Sequence, residues 1–268
     1  MENEQKSGDV ELEVPTPTRR PRLGQARTKP PVWKLGKVVG VVVETPETNT
    51  LQIEVPDPTP FLPGQYYNIR IPIEGRPRPI QRAYSVGSSP YPDYSVVDVG
   101  IRETPGGLVS PKLVRDSYIG QELEVRGPYG AFTWTEENGG PVLLIGAGSG
   151  VVPLMAMIRY GVNKELDVPM HLLFSSKSYE YVIYGDELKR LSQENSWLTV
   201  SHTFTRSNDD ARAQYHRRID KEMISEVFHE VNANVAYICG PPEMVEESEK
   251  VLVGLGMQPE SVKTEKYD

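Results

Sequence analysis

The sequence predicts two unlike domains: an all-β antiparallel six-stranded barrel, followed by an α/β domain with a five-stranded parallel sheet. Six short runs rich in β-branched and aromatic residues come first, separated by proline and glycine turns, as in a small barrel or sandwich. After EENGGP at 136–141, apolar runs alternate with helical patterns, which predicts a parallel sheet with helices on both faces. A glycine-rich turn, GAGSG at 146–150, joins the first of these apolar runs to the first helical pattern.

The strand-like runs of the first domain lie between Trp33 and Phe132, and one helix-like segment at 106–114 interrupts them. These runs are at 37–44, 50–55, 65–71, 82–88, 95–102 and 121–127. In the second domain the expected strands are at 142–145, 170–175, 198–204, 234–239 and 262–267, and the expected helices are at 153–161, 184–193, 219–229 and 242–254. The expected divisions are a disordered tail at 1–31, a β domain at 32–137 and an α/β domain at 138–268.

Composition narrows the class of protein. The formal net charge of −8 and the pI of about 5.2 argue against a nucleic-acid-binding surface, which is basic. The single cysteine, Cys239, excludes an intramolecular disulfide framework and a four-thiolate iron–sulfur cluster, and no metal is expected. No secretory signal is evident, and glycine and proline break the uncharged stretch at 138–158. We therefore expect a cytoplasmic protein without an integral membrane segment.

The N-terminal tail changes charge along its length. Its acids lie in the first 13 residues, and seven lysines and arginines follow between 19 and 37 with no acid before Glu44. Few aliphatic residues and five prolines between 15 and 31 favour an unfolded, solvated segment. The alternative is a basic arm that docks an acidic partner or folds back onto the body.

The glycine-rich turn at 146–150 favours a nucleotide phosphate site. Glycines let backbone N–H groups approach a pyrophosphate, and the start of the following helix, where Pro153 is tolerated, supplies positive potential. The usual dinucleotide fingerprint, G-x-G-x-x-G, is broken by Val151, and the second strand ends FSSKS without an acid that would bind a ribose diol. A tight turn without a ligand is the alternative.

Two later strands of the second domain end in residues that could contact such a nucleotide. Thr205 and Arg206 end the third strand, where a hydroxyl beside a guanidinium suits a phosphate. Cys239 ends the fourth strand and precedes Gly-Pro-Pro. An ordinary surface arginine and a buried, unreactive cysteine are the alternatives.

Two segments of the first domain could bind a second ligand. RAYS at 82–85 places a guanidinium and an aromatic ring on the same face of a strand, which suits a flat heterocycle with a phosphate tail. GGLVS at 106–110 is a second glycine turn at a helix start, where backbone amides could receive phosphate oxygens.

Together and in order, these segments resemble the ferredoxin–NADP⁺ reductase superfamily. The resembling segments are RAYS, GGLVS, GPYGAF, GAGSGVVP, YICGPPEM and the final EKY, and they extend over most of the chain. Each is unspecific alone, whereas six in order at suitable spacing are specific. The resemblance implies a β domain that binds FAD and an α/β domain that binds NADPH or NADH as hydride donor, without a fused iron–sulfur module.

The resemblance also implies roles for individual residues. Tyr84 would pack on the isoalloxazine, Ser85 would hydrogen-bond near flavin N5, and Arg82 would pair with the pyrophosphate. Tyr267 matches an aromatic residue that covers the other flavin face in plant-type members, although Asp268 follows it here. The residues implied at the reacting centre are Ser85, Cys239, Glu265 and Tyr267. Those implied to hold the cofactors are Arg82, Ala83, Tyr84, Ser85, Gly106, Gly107, Leu108, Val109, Ser110, Gly146, Gly148, Ser149, Gly150, Pro153, Thr205, Arg206, Cys239, Gly240, Pro241 and Met244.

The function implied is that of an FAD-dependent NAD(P)H oxidoreductase. It would pass electrons singly to a separate carrier protein: a ferredoxin, an oxygenase component or a cytochrome. Thr205 and Arg206 favour NADPH over NADH, and the basic tail favours an acidic protein acceptor, since charge complementarity speeds encounter. The alternatives are a flavin or quinone reductase with a small acceptor, and a flavin-carrying subunit of a larger redox complex.

Overall fold

The computed structural model describes residues 30–267 of the chain. Nearly all of the tail expected at 1–31, and Asp268, therefore lie outside the described residues. The first half contains six strands and one short helix, which are β1 (Lys34–Thr45), β2 (Thr48–Glu54), β3 (Tyr66–Ile71), β4 (Ile80–Ser85), β5 (Val96–Arg102), α1 (Ser110–Asp116) and β6 (Glu122–Tyr129). The second half contains β7 (Val142–Ala147), α2 (Val151–Asn163), β8 (Met170–Ser176), α3 (Gly185–Glu194), β9 (Leu198–Phe204), α4 (Lys221–Val231), β10 (Val235–Gly240), α5 (Pro242–Gly254) and β11 (Val262–Lys266).

The first sheet has six strands in the order β4-β3-β6-β1-β2-β5, and every neighbouring pair is antiparallel. This confirms the predicted antiparallel domain. The predicted closure into a barrel is not shown, because a single isolated bridge, between Val86 and Val99, links the two edge strands within residues 30–267. The strand β4 ends at Ser85, so only one residue beyond it stays in register with β5.

Strict alternation explains why these segments form strands around one core. In β3, Tyr67, Ile69 and Ile71 are buried, and the residues between them are only half-buried. Apolar residues at alternate positions of the other strands meet them inside. This core includes Val38, Leu51, Ile53, Val97, Val99, Ile101, Leu123 and Val125.

The second sheet has five strands in the order β11-β10-β7-β8-β9, all parallel, which confirms the predicted α/β domain. Helices cover both faces because successive side chains of each strand point to opposite sides. Leu144 of β7 packs with residues of α2 and α3, whereas its neighbours Leu143 and Ile145 pack with residues of α4 and α5. The longest described helices have 13 residues, and none within 30–267 has the length and apolarity needed to cross a membrane.

Four of the five described helices begin at other residues than the sequence suggested, and α3 and α4 begin one and two residues later than expected. The helix α1 begins at Ser110 rather than at 106, because Gly106 adopts φ +74° and the Gly107 amide closes a turn on the Thr104 carbonyl at 2.9 Å. The helix α2 begins at Val151, two residues before the expected 153. Pro153 is therefore its third residue, where a missing N–H costs nothing, since the first four N–H groups of a helix lack partners within it.

The segment that joins the two sheets is anchored in the core of the second domain. Phe132 and Trp134 belong to the cluster of buried residues formed by α2, α3 and the sheet, and Trp134 is fully buried. The Trp134 indole donates to the Gly139 carbonyl at 3.0 Å, and the Tyr237 hydroxyl of β10 donates to the Thr133 carbonyl at 2.8 Å. The connection thus packs into the core of the α/β domain.

Candidate active site

The glycine turn lies between β7 and α2 as a single 3₁₀ turn, Gly148–Gly150, that also holds the half-buried Ser149. Each glycine has a different physical reason to be there. Gly148 has φ +52°, in the left-handed region that side chains disfavour. A Cβ on Gly150 would lie 2.1 Å from the Cys239 carbonyl oxygen, and a Cβ on Gly146 would lie 3.0 Å from a Leu154 methyl group. The turn is therefore pressed against the end of β10 and the start of α2.

Cys239 and Glu265 lie side by side at the carboxyl edge of the sheet, in register between β10 and β11. The same residue of β10 is also in register with Gly146 of β7, so the structure brings these three predicted site residues together. Burial, and then the nearby Glu265 carboxylate, raises the pKa of the Cys239 thiol. Burial also raises the pKa of Glu265 itself. Burial thus disfavours the charged form of each group.

We expect the Cys239 thiol to resist alkylation in the folded protein, because only the thiolate is strongly nucleophilic and the side chain is 2% exposed. Iodoacetamide at about pH 8, close to the ordinary pKa of a thiol, should leave the folded chain unlabelled in mass spectra. The unfolded chain, which has one cysteine, should take one label in the same time. Equal labelling rates for the two states would contradict the buried, neutral thiol.

Tyr267 lies on the glycine turn. Its hydroxyl donates to the Ala147 carbonyl and accepts from the Gly150 amide at 3.4 Å, and its own amide donates to the Gly240 carbonyl at 3.3 Å. Burial raises the pKa of this phenol, which is therefore a hydrogen-bond donor at neutral pH. The structure thus brings Tyr267 to the turn between β7 and α2, and stacking on a flavin stays a prediction.

The remaining predicted residues of the second domain border the same edge. Thr205 and Pro241 line a cleft together with the glycine turn and Tyr267. Arg206 is exposed, and its amide donates to the Lys177 carbonyl at 2.8 Å, just beyond β8. Behind the edge, Met244 of α5 packs on Gly240, where a Cβ would lie 2.6 Å from the methionine methyl group.

In the first domain, the residues of RAYS alternate between the two faces of β4, as the sequence predicted. Arg82 and Tyr84 pair with Ile69 and Tyr67 of β3, on the face toward the core, while Ala83 and Ser85 point the other way. Tyr84 is half-buried at the edge of that core, and burial raises its pKa to about 12, so its ring stays neutral. Arg82 is exposed, and its guanidinium donates to the neighbouring Gln81 carbonyl at 2.8 Å.

The second glycine turn is partly closed on itself. The Gly107 amide donates to the Thr104 carbonyl at 2.9 Å, and the buried Ser110 hydroxyl accepts from the Thr104 amide at 3.0 Å. Gly106 and Leu108 are exposed, and Val109 is buried in the β-domain core. One of the amides predicted to receive pyrophosphate oxygens, that of Gly107, is thus already engaged within the loop.

Sequence reasoning missed three charged residues in the cleft. Arg102, at the end of β5, places its Nη1 3.3 Å from the position of a Cβ on Gly148. Lys177 follows β8, and Glu47 in the β1–β2 turn binds both cations, Lys177 at 2.5 Å and Arg102 at 3.2 Å. The hydrogen bond from Lys177, and next its charge, lowers the pKa of Glu47, which is therefore ionised. The available signal was the place of Arg102 as the last residue of a strand, comparable to that of Thr205 and Arg206 just after β9.

Two family models match the chain, one for each half. Residues 36–134 match the oxidoreductase FAD-binding domain, and residues 144–250 match the oxidoreductase NAD-binding domain. The chain is also 28% identical, over 261 residues, to the ferredoxin–NAD(P)⁺ reductase component of the naphthalene 1,2-dioxygenase system of Pseudomonas putida, and this match covers 96% of the chain and 74% of the relative.

The chain belongs to the ferredoxin–NADP⁺ reductase superfamily.

Other curated members of the superfamily are longer than the matched region. The reductase component of propane 2-monooxygenase from Gordonia is 26% identical, with 78% of this chain and 60% of the relative covered. The electron transfer component of toluate 1,2-dioxygenase from Pseudomonas putida is 30% identical, with 77% and 59% covered. The chain thus spans about three-fifths of these two relatives.

Solved structures of the superfamily share the fold. The FAD/NAD-binding domain of nitric oxide dioxygenase from Vibrio cholerae has a TM-score of 0.77 at 21% identity, covering 87% of this chain and 98% of that one. The ferredoxin reductase of carbazole 1,9a-dioxygenase has a TM-score of 0.76 at 24% identity, covering 90% and 70%. A ferredoxin–NADP⁺ reductase from Neisseria gonorrhoeae with bound FAD and NADP has a TM-score of 0.73 at 21% identity, covering 87% and 98%.

Proposed function

We propose that the chain is an FAD-dependent NAD(P)H oxidoreductase that takes hydride from NAD(P)H and passes electrons singly to a separate carrier protein. The observation that carries this proposal is that Arg102 of the FAD-binding domain reaches the glycine turn of the NAD-binding domain. The Arg102 Nη1 lies 3.3 Å from the position that a Cβ on Gly148 would occupy. Hydride transfer requires the reacting atoms to lie about 3–3.5 Å apart and aligned. Two binding domains that meet at one cleft allow their cofactors to approach each other in this way.

The residues of β4 fit a flavin nucleotide. Tyr84 offers a flat, neutral ring at the mouth of the β-domain core, and Arg82 offers an exposed guanidinium two residues away on the same face. We propose that Tyr84 packs on the ring system, that Arg82 pairs with the pyrophosphate and that Ser85 hydrogen-bonds to the ring edge. Bound FAD would supply the acceptance of hydride and the release of single electrons.

The cleft in the second domain fits a pyrophosphate. The positive φ of Gly148 disfavours a side chain, and Gly150 has no room for one, so backbone amides can approach an anion there, and α2 directs its N-terminus toward it. Arg102 and Lys177 add two positive charges at its walls. We propose that Cys239 and Glu265 border the nicotinamide and that their burial helps to exclude water from it.

The acceptor is the least defined part of the proposal. The naphthalene, propane and toluate relatives are reductase or electron transfer components of oxygenase systems, and this supports an oxygenase or ferredoxin component as the acceptor. The basic arm predicted to dock such a partner lies outside the described residues. A cytochrome, a small flavin or quinone acceptor, and a role as a subunit of a larger complex are the alternatives.

Anaerobic reduction of the FAD-loaded protein tests the function. We expect NADPH, and more slowly NADH, to bleach the flavin band, and a stoichiometric one-electron carrier to restore it faster than free quinone does. Failure of both nucleotides to bleach the flavin band would contradict the reductase proposal. Faster reoxidation by the quinone would favour the small-acceptor alternative.

Arg206 provides a test of the preference for NADPH. The residue is exposed and its backbone adjoins that of Lys177, so its guanidinium is available to pair with a phosphate on the adenosine ribose. We expect Arg206→Ala to raise the KM for NADPH about tenfold to a hundredfold, since a charge-assisted hydrogen bond contributes roughly 1.5–3 kcal/mol, and to leave the KM for NADH unchanged. Arg218→Ala, another exposed arginine, is the control. Equal effects on both nucleotides would contradict a phosphate contact.

Three finer expectations belong to the same proposal. The bridge between Val86 and Val99 supports closure of the first sheet into a barrel. The matched ranges 36–134 and 144–250 are compatible with domain limits at 32–137 and 138–268. The single buried cysteine supports a reducing compartment such as the cytoplasm.

A further inference from the structure

A cluster of charged side chains lies where α2 and α3 meet the first sheet, and none of its members lines the cleft at the glycine turn. Its centre is Arg159 of α2, whose side chain is 16% exposed. The Arg159 Nη1 donates to the Gly87 carbonyl at 2.8 Å and meets the Asp98 carboxylate at 3.3 Å, both in the FAD-binding domain. Its Nε and Nη2 bind the Glu187 carboxylate of α3 at 3.0 and 2.6 Å. One side chain therefore joins the two domains.

Tyr184 reinforces the same joint from the turn before α3. The residue is buried and adopts φ +61°, and its ring lies under the Arg159 guanidinium at 4.7 Å. Its amide donates to the Glu44 carboxylate at 3.3 Å, and its hydroxyl accepts from Thr50 at 3.5 Å. Both of these partners belong to the first sheet.

Two glycines of the FAD-binding domain show how closely the domains approach each other here. A Cβ on Gly87 would lie 2.7 Å from the Tyr184 hydroxyl, and a Cβ on Gly100 would lie 2.5 Å from a Val152 methyl group of α2. Real Cβ atoms do not approach other atoms so closely. The interface therefore has no room for even one methyl group at either position.

We propose that Arg159 and Tyr184 are positioning residues, which together with Gly87 and Asp98 form an interdomain latch that sets the distance between the flavin and nicotinamide sites. The inference rests on the proposed function, because it concerns how the two domains present their cofactors to each other. None of the four latch residues lines the cleft at the glycine turn, and none is among the residues proposed to hold FAD. Its effect on the reaction would be exerted only through domain orientation.

The energetics favour orientation over stabilisation as the purpose of this cluster. Burial raises the pKa of Asp98 and of Glu44, so holding these acids ionised at the interface costs free energy. Buried ion pairs often contribute less than well-packed apolar residues of the same volume. Their geometry is directional, however, and Arg159 engages three acceptors in fixed directions.

A steric wedge tests the latch without removing a charge. Gly87→Ala should push Tyr184 and the α/β domain away, and a displacement of about 1 Å can cost roughly a hundredfold in rate. We expect kcat for flavin reduction by NADPH to fall about tenfold to a hundredfold, with an unchanged FAD content and little change in KM. The charge-transfer absorbance between flavin and nicotinamide should weaken in parallel.

The double variant Gly87→Ala/Tyr184→Phe is the matched rescue. Without the hydroxyl, the nearest atoms to the new methyl group lie at 3.4 and 3.5 Å, which is ordinary contact. We expect this variant to recover most of the rate and of the charge-transfer band. The wedge explanation would be overturned if the double variant stayed slow while Tyr184→Phe alone was as fast as the wild type.

Hydrogen exchange gives a readout that does not depend on turnover. The Tyr184 amide donates across the interface to Glu44, so its exchange should accelerate at least tenfold in Gly87→Ala and return toward the wild-type rate in the double variant. Unchanged protection of this amide, together with an unchanged rate, would overturn the latch.

Substitution of Arg159 tests the latch independently of the glycine variants. Arg159→Lys retains a charge but loses the two-pronged contact with Glu187, so we expect an intermediate loss of rate and of amide protection. The control is Arg190→Ala, at 56% exposure on α3, which pairs with Glu194 one turn along the helix. If wild-type protein is not reduced by either nucleotide, the proposed function fails; if it is reduced and these variants match it, only the latch fails.

Discussion

Gly150→Ala should abolish rapid flavin reduction by NADPH. The new methyl carbon would lie 2.1 Å from the Cys239 carbonyl oxygen and 2.6 Å from its carbon, both backbone atoms that no side-chain rotation can move. The glycine turn must therefore separate from β10, and the amides that approach the pyrophosphate are displaced by about an ångström or more. We expect the rate at subsaturating NADPH to fall at least about a hundredfold in anaerobic stopped-flow measurements.

The same substitution should lower stability, because overpacking a close contact costs roughly 1–3 kcal/mol or more. The expected fall in Tm is about 3–10 °C for a chain of this size. Gly254→Ala is the control: it ends α5, a Cβ there would have nothing within 4 Å, and alanine favours helix. A Gly150→Ala variant with wild-type NADPH kinetics would show that the turn does not cradle the nucleotide.

Tyr84→Ala should release FAD. Its ring is half-buried beside the β-domain core, and a pKa of about 12 keeps it neutral, so it can offer a flat apolar face to a heterocycle. Stacking of a base on an aromatic ring contributes roughly 1–3 kcal/mol. Fluorescence titration of the apoprotein should therefore give a Kd for FAD about tenfold to a hundredfold higher than that of the wild type.

Two matched variants distinguish stacking from general damage. Tyr84→Phe keeps the ring and should retain FAD, and Tyr118→Ala removes a ring that is 64% exposed in the same domain and should have no effect. Loss of FAD in Tyr84→Phe would assign the role to the hydroxyl. Tight FAD binding by Tyr84→Ala would contradict the assignment altogether.

Local patterns predicted the second domain well, because its strands and helices are specified by periodicity within each segment. The strand at 198–204 and the helix at 242–254 were placed at their observed residues. The start of α2 was misplaced by two residues, since proline is tolerated throughout a first turn and does not mark which position it occupies. Glycine at 146, 148 and 150 indicated the turn because each position excludes a side chain for its own steric reason.

The missed residues act between segments that are distant in sequence. Glu47, Arg102 and Lys177 meet in the cleft from a hairpin, a strand end and a loop, and no local pattern distinguishes them from solvated charges. Arg159 sits in an otherwise apolar helix, where its charge is informative only once Asp98 of the other domain is seen beside it. Barrel closure likewise depends on long-range pairing of edge strands, which alternation within a strand does not specify.

The anchored connection at Phe132 and Trp134 restricts how the protein can be divided. The sequence suggests a boundary in the polar stretch near 138. A C-terminal fragment that begins there would lack both rings, and its core would contain a cavity the size of an indole and a phenyl ring. A recombinant module for exchange between reductases should instead carry these two aromatic residues with the α/β half. The few residues before Phe132, rather than the polar stretch after it, are then the natural place at which to splice.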